Sequence, residues 1–210
     1  LARLESRLKK MAAMQSKLLD DTIQLAATPT AQRNRQTDLK AGELSFEQKK
    51  ITVESDRALL LLREEGSSVA FPEVIDQIRD SSDQIAQRLG KTQIDAVTQG
   101  IQQDVLASIE EMVLSLLHAQ RDLEKQKQLG KSGPMQAGQP GEQPLVGAIP
   151  ELKLIRTMET RIKSTTQRYA ELLQSEESSA QDLLPLLKNL SERQARLYKI
   201  TRDLALQRNK

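Results

Sequence analysis

The chain has 210 residues, with 31 Lys plus Arg against 29 Asp plus Glu, no Cys, no Trp, two Phe, two Tyr and one His. Four aromatic rings cannot fill a thick globular interior, so a core must come from Leu, Ile, Val, Met and Ala, which suits packed helices. The absence of Cys excludes disulfides, thiolate metal sites and thiol nucleophiles; a net charge of +2 argues against a strongly basic nucleic-acid binder; and the longest apolar run, Ala58–Leu62, is far short of the roughly 20 residues that span a bilayer.

The first segment spaces Leu1, Leu4, Leu8, Met11, Gln15, Leu18, Thr22 and Leu25 alternately three and four apart, which predicts a helix over about 1–27 with a coiled-coil seam. The chain opens at Leu1 already inside that seam, so a trimmed or processed start, with an anchor lost before it, is expected. Thr28 and Pro29 end the helix, because the residue before proline is pushed out of the α region. A second helix is predicted over about 31–65. Its stripe is thin: Leu39, Phe46, Val53 and Leu60 fall seven apart, with Gly42, Lys49 and Asp56 at the alternate seam positions. Polar seam residues such as Gln15, Thr22 and Lys49 either fix register or mark where a seam ends in solvent.

Gly66, Ser67 and Ser68 stop the second helix, and Pro72 opens a third over about 72–89, with Ile75, Ile78, Ile85 and Leu89 as its buried face and Gly90 as its cap. Val69 or Phe71 is placed to staple its start. A fourth, over about 92–129, carries Ile94, Val97, Ile101, Val105, Ile109, Met112, Leu116 and Leu123. Residues 130–150 hold five of the nine Gly and four of the seven Pro, which predicts a linker between an N-terminal module, 1–129, and a C-terminal hairpin, 151–210. In the hairpin, Ile155, Met158, Ile162, Thr165, Tyr169 and Leu172 form one face. After a break at Ser175–Ser179, with Asp182 as N-cap and Pro185 in the tolerant first turn, Leu183, Leu187, Leu190, Leu197, Ile200 and Leu204 form the other. No segment alternates with period two, so the fold is read as all-α: elongated antiparallel helical hairpins with coiled-coil seams and no sheet.

The chemistry-bearing motifs are weak. Gly90-Lys91-Thr92 and Gly130-Lys131-Ser132 copy the end of a phosphate-binding loop, but Ile85 and Lys125 stand where its first Gly is needed and no strand leads in. His118 is the only histidine, and Ser115 stands where a carboxylate-bundle metal site would place Glu. The pairs Glu110–Glu111 and Glu176–Glu177 sit side by side on helices and do not face one another. No catalytic, cofactor or metal residue is assigned, and neither a nucleic acid nor a small-molecule substrate is expected.

Charge says more. Residues 151–210 hold twelve Lys plus Arg against eight Asp plus Glu, a net of +4, so the first 150 residues carry −2. Arg193, Arg196, Lys199 and Arg202 form a basic stripe, which is either an ordinary solvated face or a contact for an acidic partner or anionic lipid.

Several strings resemble a group of uncharacterised planctomycete helical proteins, often exported. They are Gly66-Ser67-Ser68-Val69-Ala70-Phe71-Pro72-Glu73, Ile109-Glu110-Glu111-Met112, Glu151-Leu152-Lys153, Thr166-Gln167-Arg168-Tyr169 and Ile200-Thr201-Arg202-Asp203-Leu204. The likeness covers residues 44–210 and implies an envelope location, with no activity attached.

The expectation is therefore a non-enzymatic scaffold that forms a homo-oligomer or binds a helical partner. Leu1, Leu4, Leu8, Met11, Leu18 and Leu25 are its candidate contact, because the thin second helix offers them no full partner. Two alternatives stand beside it. One is peripheral binding to an anionic lipid surface, with Leu197, Ile200 and Leu204 inserted; the other is a chaperone-like helical clamp.

Overall fold

The computed structural model describes residues 2–65, 68–130, 148–176 and 178–206. They form α1 (Ala2–Ala26), a single 3-10 turn (Thr30–Gln32), α2 (Arg35–Glu65), α3 (Ala70–Leu89), α4 (Ala96–Gly130), α5 (Ala148–Gln174) and α6 (Ala180–Ala205). No strand occurs among the described residues. Residues 131–147, most of the expected linker, lie outside them, as do Leu1, Gly66 and Ser67.

Side-chain pairs fix the topology. Gln48 donates to Gln15 at 2.8 Å and Glu54 pairs with Arg7, so α1 and α2 run antiparallel. Ser45 donates to the Ala86 carbonyl at 2.7 Å and Thr92 to Asp38 at 2.9 Å, which sets α3 antiparallel to α2. Gln102 reaches Thr22 at 3.0 Å and Gln120 reaches Glu5 at 3.0 Å, closing α4 onto α1. The first four helices thus make a closed up-down-up-down bundle. The α5–α6 hairpin lies over the α3–α4 side: α5 contacts both helices, and α6 reaches α3 through Arg193 and Arg196.

The α4 row read from the sequence is buried from Ile94 to Leu116, and Ile75, Ile78, Ile85 and Leu89 of α3 face it. Gln15 and Thr22 are fully buried and hydrogen-bonded to Gln48 and Gln102. They mark register within the bundle, since a polar group in a core is tolerable only where its partner lines up. Lys49, by contrast, points to solvent.

Local signals set the helix ends. Asn34 begins α2 by accepting from Gln36 N–H at 2.9 Å while Thr37 Oγ1 accepts from Asn34 N–H at 3.3 Å, so α2 starts later than the expected residue 31. Asp95 caps α4, accepting from Thr98 N–H at 2.9 Å. Ser179, rather than Asp182, caps α6; Asp182 instead sits at the third position, where its N–H donates to Ser179 Oγ at 3.2 Å and its carboxylate accepts from that hydroxyl at 2.7 Å. Gly90 follows α3 at φ −62, and the left-handed turn falls on Thr92 at φ 56.

Candidate interaction surface

The N-terminal seam is not an exposed contact. Leu4, Leu8, Met11 and Leu18 are at most 5% exposed, and Leu25 packs partly buried against the same core. The sequence argument looked only to α2 for their partner, whereas α1 also packs on α4, whose apolar face is continuous. Of the six residues proposed for that contact, only Leu1 falls outside the described residues.

The basic stripe of α6 is also largely spent inside the molecule. Arg193 donates to Ser81 at 2.7 Å, Arg196 pairs with Glu73 at 3.0 Å and Arg202 with its neighbour Asp203 at 3.5 Å; Lys199 is exposed. Leu197 is fully buried, and Ile200 and Leu204 pack on the core, so the residues proposed to enter a lipid surface are committed elsewhere.

The charge asymmetry between the two parts of the chain acquires a structural use here. Arginines of the hairpin meet acids and hydroxyls of the bundle: Arg161 bonds Ser108 and pairs with Glu111 at 2.7 Å, and Arg168 pairs with Asp104, which also accepts from Thr165 at 2.9 Å. Glu151 accepts from Val69 N–H at 3.1 Å. Burial lowers the proton affinity of Arg168, but the Asp104 hydrogen bonds and charge outweigh it and hold the guanidinium above its ordinary value. Arg193, without a carboxylate in ion-pair range among the described residues, is pushed down by burial, and burial pushes the Tyr169 hydroxyl up.

Between hairpin and bundle lies a cavity of about 40 Å³, lined in part by Ser81, Asp104, Ser108, Arg161, Tyr169 and Arg193. Pockets that enclose small molecules run to roughly 300–1,000 Å³, so this one is far too small for a cofactor. His118 is exposed, and the described residues hold no cluster of three or more His, Asp or Glu fit for a metal ion. Gly90-Lys91-Thr92 forms a helix-to-helix turn after α3. Among the acids Glu54 is the most heavily engaged. Burial raises its pKa, yet hydrogen bonds from Lys10 and Arg7 and the charge of Arg7 more than reverse this, so it stays below the usual carboxylate range.

The outer face of α2 corrects the sequence reading most sharply. Leu39, Phe46, Val53 and Leu60, read from the sequence as its thin contact stripe, are 61%, 64%, 47% and 60% exposed. Ala41, Ser45, Gln48, Ile51, Ser55, Ala58, Leu59 and Leu62 face the bundle instead. Small residues allow close approach to α3, where Ser81, Ser82 and Ala86 are also buried, so this interface shows little apolar content.

What remains outside is a row of four large apolar side chains along the 31-residue helix. Leu39, Gly42, Glu43 and Phe46 border a shallow recess rimmed by Arg35, Asp38 and Glu47. A Cβ added at Gly42 would meet nothing within 4 Å, so the recess is open. Lys50 lies 5.2 Å from the centre of the Phe46 ring and pairs with Glu47 at 2.5 Å. Every lining residue belongs to one helix, so the recess cannot enclose a small molecule. No sequence signal separated this stripe from a core stripe, since a heptad row looks the same in either place. No protein-family model matches the chain, and no curated protein or solved structure is found to be similar to it.

Proposed function

We propose that the protein is a non-enzymatic helical scaffold that works by protein–protein contact, and that the outer face of α2 is the contact surface. The observation that carries this reading is the exposure of Leu39, Phe46, Val53 and Leu60 in one row. Single exposed apolar residues are ordinary on a protein surface, whereas an aligned set of four large ones resembles the patches that mark interaction sites. The proposed setting is the cell envelope, on the strength of the string resemblance to exported planctomycete proteins.

A photo-reactive phenylalanine analogue at position 46 tests the reading in cells of the native host. A discrete protein adduct is expected from that position and none from exposed Lys17 on α1. Absence of any adduct from position 46 would remove the contact role.

A further inference from the structure

We propose that the cavity between the hairpin and the bundle is a binding site for free inorganic phosphate in its protonated, hydrogen-phosphate forms, independent of the contact role of α2. The argument starts from an unbalanced charge. Among the arginines of the hairpin seam, Arg161 has Glu111 at 2.7 Å, Arg168 has Asp104 and Arg196 has Glu73 at 3.0 Å, but Arg193 has only the hydroxyl of Ser81. Its Nε is buried and meets no acceptor among the described residues. The acids whose charge reaches it, Asp80 and Glu73, are held by Arg79 and Arg196 at 3.0 Å each. A guanidinium cannot shed its proton to escape burial, and a buried cation without a counter-charge is costly. An anion from solution is the partner that the chain itself does not supply.

The cavity that Arg193 lines fits such an ion. Its volume of about 40 Å³ is room for roughly three waters at about 10–15 Å³ each. The four oxygens of a tetrahedral oxyanion, each water-sized and one bond length from a common centre, fit the same space. Arg193 and Arg161 bring guanidinium N–H groups to its wall, Ser81 and Tyr169 hydroxyls, and Asn189 an amide. Ile78, Val105 and Leu190 line it too, so the attraction between ion and guanidinium is screened less than in water. Asp104, also on the wall, decides which oxyanion enters. Its Oδ2 accepts from Thr165 and Arg168, whereas Oδ1 has only a long contact of 3.4 Å to Arg168. That oxygen can accept from the P–O–H of hydrogen phosphate. Sulfate carries no proton at neutral pH and meets the same carboxylate with repulsion alone. The bound ion would tie the hairpin to the bundle, since Ser81, Asp104, Arg161 and Arg193 come one each from α3, α4, α5 and α6.

Thermal unfolding of the full chain at fixed ionic strength tests this, with chloride replaced by inorganic phosphate, sulfate or glycerol phosphate at millimolar concentration. Phosphate is expected to raise the midpoint saturably, by about 5–10 °C at a hundredfold excess over its dissociation constant. Sulfate and glycerol phosphate should do several-fold less. Arg193→Gln should abolish the response and, in phosphate-free buffer, unfold no earlier than the unsubstituted chain, because it removes an unpaired charge. Equilibrium dialysis of the unsubstituted chain against radiolabelled phosphate is the second readout, with one ion bound per chain expected. No saturable midpoint shift together with no bound phosphate would overturn the site. A phosphate response that persists in Arg193→Gln, or an equal loss of stability by that variant with and without phosphate, would overturn the role of Arg193. An equal response to sulfate would overturn the choice of hydrogen phosphate, and an equal response to glycerol phosphate would overturn the free ion in favour of a phosphate ester.

Discussion

Phe71→Ala is expected to destabilise the fold by about 3–5 kcal/mol, the cost of emptying a buried ring site whose walls only partly relax. Phe71 is fully buried in the first turn of α3 and is the largest of the fully buried side chains. The contrast is Phe46, the other phenylalanine, which is 64% exposed on α2. Phe46→Ala, measured under dilute conditions, should change stability by no more than about 0.5 kcal/mol. Urea titration followed by far-ultraviolet circular dichroism measures both, and comparable losses for the two variants would contradict the assignment of one ring to the core and the other to the surface.

The second large effect concerns the attachment of the hairpin. Asp104→Ala removes the acceptor shared by Arg168 and Thr165. The Arg168 and Asp104 side chains keep 30% and 24% exposure, so the pair is only partly desolvated. A cost of about 1–3 kcal/mol is expected, that of leaving hydrogen-bonding groups without a partner at a semi-buried site. The loss should fall mainly on docking. Hydrogen exchange is therefore expected to quicken in α5 and α6, while the amides of α1 and α2 keep their protection. Equal loss of protection across all six helices would show that the hairpin and bundle do not separate at this seam.

The two cases also show what could be read from the chain. The α4 row from Ile94 to Leu116 was legible because a helix packed among apolar neighbours carries a continuous stripe. The α5 face at Ile155, Met158, Thr165 and Tyr169 followed the same rule. The rule failed for α2, whose buried side is Ala41, Ser45, Gln48, Ser55 and Ala58 around only a few large residues. There the sequence stripe lay on the opposite side of the helix, and periodicity alone cannot tell which side of an amphipathic helix meets its own chain. The same blindness assigned Leu8 and Met11 to an external contact, since the pairing of α1 with distant α4 depends on tertiary closure. The basic stripe was legible as a pattern, but its destination was not. Arg193 and Arg196 find Ser81 and Glu73 more than a hundred residues earlier in the chain.

Hydroxyl-radical footprinting of the dilute chain most directly tests the claim that the α1 seam is internal and the α2 stripe is the free surface. Met11 and Phe46 are both oxidisable and stand on the two competing stripes, 0% and 64% exposed. The account predicts rapid modification of Phe46 and strong protection of Met11. Rapid modification of Met11 with Phe46 protected at every dilution would contradict it.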